Sequence, residues 1–385
     1  MKNWLSLYKQ AFILLNSGSN TMERNIKEIV SHFSIEGECL DFKKNTTGHI
    51  NDSYYIDTKS PDHPGYFLQW INSSIFRDVE GLMNNICAVT GHLATKLAEN
   101  KDLDFKVLEV IPCKDGKNFY LDPDSQYWRL YIFIDNAHGY NVVENIEIAY
   151  EGGKAFGLFM SLLVDLPAKG LTDTIPDFHN MEKRLETFYK SLTDDKVNRV
   201  KDVAAEIEFV KKRAEQMLSI PALIKSGELP LRITHNDTKF NNIMFDSSDH
   251  ALCIVDLDTV MPGSILFDFG DSIRTGANTA NEDEKDLSKV DINLPIYEAY
   301  SRGFLKNTRS TLTEAEINNL AFSARFMTFI IGLRFLTDFL DGDTYFRTSY
   351  PDHNQVRTKV QFRLIEAMER NAEKMNAIVI KAIEE

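Results

Sequence analysis

The sequence predicts an α+β protein built in two lobes, a small β-rich N-terminal lobe and a larger, mainly helical C-terminal lobe. Three observations predict it. At 385 residues the chain exceeds one typical core. Strand-like segments gather before residue 134, and almost everything after it has helical spacing apart from one short hairpin pattern.

Taken in order, residues 1–21 read as an N-terminal extension. Positions 4–15 are apolar behind Lys2, faintly like a signal peptide, but Lys9 and Gln10 interrupt them and no convincing small-residue cleavage site follows. An added helix or a true start at Met22 are the other readings. Residues 22–134 then form the first lobe. Two candidate strands lie within 43–57, around the turn Thr46-Thr47-Gly48-His49-Ile50-Asn51-Asp52, and a third spans 66–71. A helix is expected over 78–99, with Val79, Leu82, Met83 and Ile86 on one face. The last strand, 127–134, is broken by Asp135-Asn136-Ala137-His138-Gly139. In the second lobe, 135–385, helical spacing covers 146–163, 181–192, 201–218, 313–340 and 358–383. The hairpin is the main interruption: 243–245 and 252–255 are apolar runs around a polar turn, 246–250.

A formal charge of −14 argues against a nucleic-acid partner, which needs clustered Lys and Arg. No apolar run was expected to span a bilayer, so a membrane role is not predicted. Cys39, Cys87, Cys113 and Cys253 are scattered, suggesting neither a disulfide framework nor a zinc site, and a reducing cytoplasm is the simplest compartment. A monomer or weak dimer is expected.

The chemistry concentrates in Thr234-His235-Asn236-Asp237-Thr238-Lys239-Phe240-Asn241-Asn242 and Ile254-Val255-Asp256-Leu257-Asp258. Antiparallel pairing of the hairpin brings Asn242, just before its first strand, beside Asp256, just after its second. An amide and a carboxylate oxygen meeting there can hold Mg2+. Asp237 is then free to take the proton of an attacking hydroxyl, where a turn or capping Asp is the plain alternative. Lys239 can neutralise charge on a transferring phosphoryl group, and a solvated lysine is its plain alternative. His235 is expected to orient the loop through backbone hydrogen bonds. The Asp-to-Asn spacing and order match the protein-kinase signature of a catalytic-loop Asp and Asn followed by a metal-binding Asp, with Asp-Leu-Asp in place of Asp-Phe-Gly.

With these residues the chain resembles the aminoglycoside phosphotransferase and choline kinase branch of the protein-kinase-like fold. Within it, Val255-Asp256-Leu257-Asp258-Thr259-Val260-Met261-Pro262-Gly263 and Phe267-Asp268-Phe269-Gly270-Asp271-Ser272-Ile273-Arg274 are similar to N-acetylhexosamine 1-kinases. The resemblance implies ATP and Mg2+ as cofactors, a small sugar as partner, and transfer to the anomeric hydroxyl of an N-acetylhexosamine, with choline, an aminoglycoside or another sugar as the alternative acceptor. It implies Asp237 and Lys239 as catalytic residues, Asn242 and Asp256 as metal ligands, and Asp268 as the tie on the catalytic loop. The sugar site falls to Asp237, Thr259, Arg334 and Tyr345; an i to i+4 pairing of Arg334 with Asp338 is the plain alternative. For the nucleotide it implies Gly48, Asn51, Gln69 and Glu80, with Phe133 and Asp135 at the inter-lobe hinge. Here the sequence departs from its relatives: Gln69-Trp70 stands where a basic residue should face the phosphates and a helix carboxylate. Lys43, Lys44 or Arg77 is expected to substitute, or nucleotide binding is weakened, as in a pseudokinase. One rival from another class remains, because 254–260 is similar to the strand-end Asp-x-Asp-x-Thr of haloacid-dehalogenase-type phosphatases, which requires a doubly wound α/β core.

Overall fold

The computed structural model describes residues 25–45, 51–58, 65–143 and 145–385. The extension at 1–21 and Gly48 lie outside them. The chain begins with a short helix, α1 (Ile26–Ser31), then β1 (Cys39–Asn45), β2 (Ser53–Thr58) and β3 (Tyr66–Ile71). A long helix follows, α2 (Val79–Glu99), whose N-terminus is capped by Asp78 accepting from the Gly81 N–H. Then come β4 (Val110–Ile111), β5 (Tyr120–Leu121) and β6 (Tyr127–Ile132). These strands form one antiparallel sheet in the order β1-β2-β3-β6-β4, with β5 also on β6.

Alternation gives this sheet two different faces. Tyr66 and Leu68 of β3 and Trp128 and Leu130 of β6 join Ile26, Val30 and Phe33 in a small core of the first lobe. The register sets Ser53 against Gln69 and Gln69 against Arg129, so these three polar residues form a row across β2, β3 and β6 on the opposite face.

The second lobe is helical: α3 (Ile146–Leu162), α4 (Met181–Asp194), α5 (Ala204–Met217), α6 (Ser219–Ser226), α7 (Ile265–Gly276), α8 (Leu294–Thr308), α9 (Glu314–Asp341), α10 (His353–Arg370) and α11 (Ala372–Glu384). Set among them are β7 (Arg232–Thr234), β8 (Ile243–Phe245), β9 (Ala251–Ile254) and β10 (Met261–Gly263), paired as β7–β10 and β8–β9, both antiparallel. Small residues let α3 and α8 touch backbone to backbone: a Cβ on Gly153 would fall 2.2 Å from the Tyr300 carbonyl oxygen, and one on Gly303 would fall 2.1 Å from that of Tyr150.

Three expectations change. The single helix expected over 358–383 is two, because the Asn371 side chain donates to the Ala367 carbonyl (3.0 Å) and ends α10 before α11 starts. The Phe267-to-Arg274 segment, assigned no element above, is helical, and α9 is more apolar than the membrane reading allowed. Its most apolar 18 residues have mean hydropathy 1.4, enough by length and composition to cross a bilayer, but 72% of that window is buried inside the lobe, where α9 is a core helix. Among the described residues every strand pairing is antiparallel, so the doubly wound core needed by the phosphatase reading is not built.

Candidate active site

The hairpin β8–β9 places its two ends together as its sequence implies. The Val255 N–H donates to the Asn242 carbonyl (2.9 Å), so Asn242 and Asp256 flank the mouth of one hairpin. Asn242 donates Nδ2–H to the Asp237 carbonyl (2.8 Å) and to its carboxylate (3.3 Å), which leaves Oδ1 free to face a cation. Asp256 sits in the left-handed region at φ 60° and opens to the cleft, with no hydrogen bond to its carboxylate among the described residues. One amide oxygen and one free carboxylate fit Mg2+, which keeps several waters and takes phosphate oxygens for the rest of its shell. Enclosure by surrounding protein, and then the carboxylates of Asp258 and Asp237, push Asp256 up to about 7, the crowding a divalent cation would relieve.

Asp237 lies 2.7 Å from the Lys239 ammonium. Burial would raise its carboxyl, but the Lys239 charge outweighs burial and holds it below the ordinary value, so Asp237 is ionised near neutrality. The loop beneath it is strongly braced. Asp268 of α7, completely buried, accepts the backbone N–H groups of His235 (2.8 Å) and Asn236 (2.7 Å). The Asp268 carbonyl also accepts the Thr238 hydroxyl (2.5 Å). His235 reaches the Val255 carbonyl through Nε2 (2.9 Å) while Nδ1 accepts the Asp237 N–H (3.3 Å), and one ring tautomer satisfies both. Thr259, expected at the sugar, donates its hydroxyl to the His235 carbonyl (2.6 Å) and accepts Asn236 Nδ2 on its own carbonyl (3.0 Å). It braces the loop. Asn236 takes φ 65°, a conformation Asn tolerates better than most residues.

On the far side, Arg334 of α9 and Tyr345 meet, Nη2–H to the phenol oxygen at 3.2 Å. The guanidinium also lies 5.3 Å from the ring centres of Phe178 and Phe346. The alternative pairing of Arg334 with Asp338 does not form: Asp338 instead accepts the N–H groups of Thr344, Tyr345 and Phe346 (2.9, 2.8 and 2.9 Å) and so sets the loop that carries Tyr345. Two further residues join this wall that the sequence reading missed. His179 hydrogen-bonds through Nε2 to the Asn236 carbonyl (3.0 Å), with Nδ1 buried and unpartnered; burial pushes it down to about 4, so it is neutral. Arg184 donates to the Phe178 carbonyl (2.9 Å) while its Nε is buried without a partner, and burial with neighbouring Arg334 pushes it down to about 10. Neither arginine has a carboxylate partner among the described residues. No motif announced them, since both follow a loop that comes to Asp237 only through folding.

The nucleotide half departs most from expectation. Gln69 accepts on Oε1 from Arg129 Nε (3.1 Å) and Nη2 (2.9 Å), and donates Nε2–H to the Ser53 hydroxyl (3.1 Å). Arg129 Nη1 donates to Asp258, and the other Asp258 oxygen accepts Asn51 Nδ2 (2.7 Å). The cation between the lobes is therefore Arg129, 1% exposed, and none of the three that were expected. Lys43 and Lys44 lie exposed on the edge strand, with Lys44 3.0 Å from Asp52. Arg77 and Glu80 line a separate surface cavity of about 650 Å3 with Tyr120 and Tyr127. Glu80 thus does not serve as the helix carboxylate, because the N-terminal turn of α2 projects it to solvent. Phe133 donates its N–H to the Gly65 carbonyl (2.8 Å) and packs edge-on against Tyr55, while Asp135 is exposed. The following segment docks on the catalytic hairpin through paired bonds between His138 and Phe245 (3.0 and 2.8 Å).

The sequence profile of the Phosphotransferase enzyme family matches residues 41–297. Among solved structures, the fold is similar to a microcompartment-associated aminopropanol kinase (15% identity, TM-score 0.58, covering 91% of this chain and 98% of the other). It is also similar to an aminoglycoside phosphotransferase from Alicyclobacillus acidocaldarius (10%, 0.55, 96% and 99%) and to choline kinase from Cryptosporidium parvum (12%, 0.52, 94% and 99%).

Proposed function

The chain belongs to the phosphotransferase enzyme family, and from that premise we propose that it transfers the γ-phosphoryl group of ATP to a hydroxyl of a small neutral molecule, best matched by the anomeric hydroxyl of an N-acetylhexosamine. The observation that carries the reaction is the convergence of Asp237, Asn242 and Asp256 at the mouth of one hairpin, with Lys239 beside the first. Asp237, ionised, takes the proton of the attacking hydroxyl; its oxygen bonds to the γ-phosphorus as the bond to ADP breaks, and the products are a phosphate ester and ADP. Lys239 neutralises charge on the transferred group. Asn242 and Asp256 would hold Mg2+, which when bound offsets the negative charge of the polyphosphate.

The acceptor assignment rests on the wall opposite. Arg334 and Arg184, without carboxylate partners, oppose a cationic acceptor such as choline or an aminoglycoside, whose ammonium would meet two like charges. A neutral polyhydroxylated ring with an acetamido carbonyl suits them, together with the phenol of Tyr345 and the ring of Phe178. The pseudokinase reading stands on a missing N-lobe cation; against it, Asp237, Asn242 and Asp256 are all present beside one another. Incubation with ATP, Mg2+ and a panel of N-acetylhexosamines, other sugars, choline and aminoglycosides, followed by ADP release, tests the proposal. Release is expected with an N-acetylhexosamine and not with choline or aminoglycosides. No release with any N-acetylhexosamine overturns the acceptor assignment.

A further inference from the structure

We infer that Arg129 is the positioning residue of the metal-binding turn, a cation moved one strand sideways that locks the first lobe onto Asp258 and thereby sets Asp256. The inference rests on the kinase reading above. Its ground is a closed hydrogen-bond chain running through both lobes. Arg129, in the middle of β6, is almost completely buried; its guanidinium donates to Gln69 from the neighbouring strand through Nε and Nη2 and to Asp258 through Nη1, and it lies 5.3 Å from the centre of the Tyr131 ring. Asp258, 3% exposed, has both oxygens committed, one to Arg129 and one to Asn51. Asn51 is itself fixed, since its Oδ1 accepts the Asn72 N–H (3.1 Å). Two segments of the first lobe, carrying Arg129 and Asn51, thus converge on one carboxylate two residues beyond Asp256, with Gln69 holding the first and Asn72 the second.

This geometry makes two assignments. Asp258 holds the turn and is not a second metal ligand, because a carboxylate with both oxygens occupied by N–H donors has little left for a cation. Gln69 presents one oxygen to two N–H groups of Arg129 and so fixes the plane of the fork, which a lysine on β6 could not reproduce. Asp256 takes the left-handed conformation, which Asp and Asn adopt more readily than other residues with a Cβ, and the Asp258 anchor holds the turn that contains it.

The test is the Mg2+ dependence of nucleotide binding, measured by calorimetry with the non-hydrolysable analogue AMP-PNP, so that it stands whether or not the acceptor assignment does. Partners that orient a metal ligand typically change metal affinity by 10- to 100-fold when removed. Arg129→Gln and Arg129→Lys are each expected to raise the Mg2+ midpoint by about tenfold or more, with metal-free AMP-PNP binding changed by less than about threefold. Asp258→Asn, which keeps the side-chain shape, should raise it similarly, and the double variant no further, because both break the same link. Should Arg129→Gln fail to fold, Asp258→Asn alone decides. An unchanged Mg2+ midpoint overturns the inference, as does an equal loss of metal-free and metal-dependent binding, which would make Arg129 a direct phosphate ligand. Full activity loss in wild type with intact Mg2+-dependent AMP-PNP binding would strike the acceptor reading and leave this one standing.

Discussion

The two sides of the cleft are held by different kinds of order. On the C-lobe side, Asp237, Lys239 and Asn242 lie within six residues of chain, and Asp256 follows after one hairpin, so local turn chemistry and a single antiparallel pairing suffice to bring them together. On the N-lobe side, Asn51 and Arg129 share Asp258 as their partner from the other lobe, and Gln69 holds Arg129. Gln69 and Arg129 are 60 residues apart and meet only through strand register. The contrast shows that the loop and hairpin of 234–258 are constrained as a string, whereas the cation that anchors Asp258 is constrained as a position in space. It can pass to another strand provided the cross-strand neighbour is the right one.

The largest effect expected from either side is Asp237→Asn. Loss of the base should lower kcat by roughly 10²- to 10⁴-fold with AMP-PNP binding little changed. Steady-state kinetics beside a binding isotherm checks this, and a variant within about threefold of wild type would break the assignment of the C-lobe loop. Next is Asp268→Ala, which strips two buried backbone N–H groups of their acceptor. At about 1–3 kcal/mol for each orphaned group, a destabilisation of about 2–6 kcal/mol is expected in denaturant unfolding. A loss below about 0.5 kcal/mol would mean the catalytic loop is not braced from α7. The smallest effect belongs to the first lobe: Glu80→Gln should leave AMP-PNP affinity within about twofold, the behaviour of a surface residue far from the chemistry. A tenfold loss would restore Glu80 to the nucleotide site and weaken the distinction between the two sides.

Much of the fold was legible. The lobed order, the sheet strands at 66–71 and 127–132, and most long helices follow from period and capping, as Asp78 before α2 and Thr313 before α9 illustrate. The sequence reading gave α7 no element of its own; the helix is buried almost all round, Asp268, Asp271 and Arg274 included. Of the site, the catalytic loop and hairpin could be placed from sequence. Arg184 and His179 could not, and neither could the bracing duty of Thr259, since each depends on a contact made across the lobe. Arg129 left a trace, a charged residue inside the apolar strand Tyr127–Ile132, but nothing in the chain said which strand face it occupied or that Gln69 would lie opposite.

By itself the sequence determined the elements whose causes are short-range: periodicity, caps, the polar turn of the hairpin, and the spacing that delivers a base and two metal ligands to one place. Only the tertiary structure decided which cation meets Asp258 and which arginines gather beside Phe178. The physical reason is that electrostatic interactions in a buried site depend on distance and burial, neither of which is written along the chain. Register and helix packing set both, and they placed Arg129 opposite Gln69, where a basic residue or one of its substitutes Lys43, Lys44 and Arg77 had been expected.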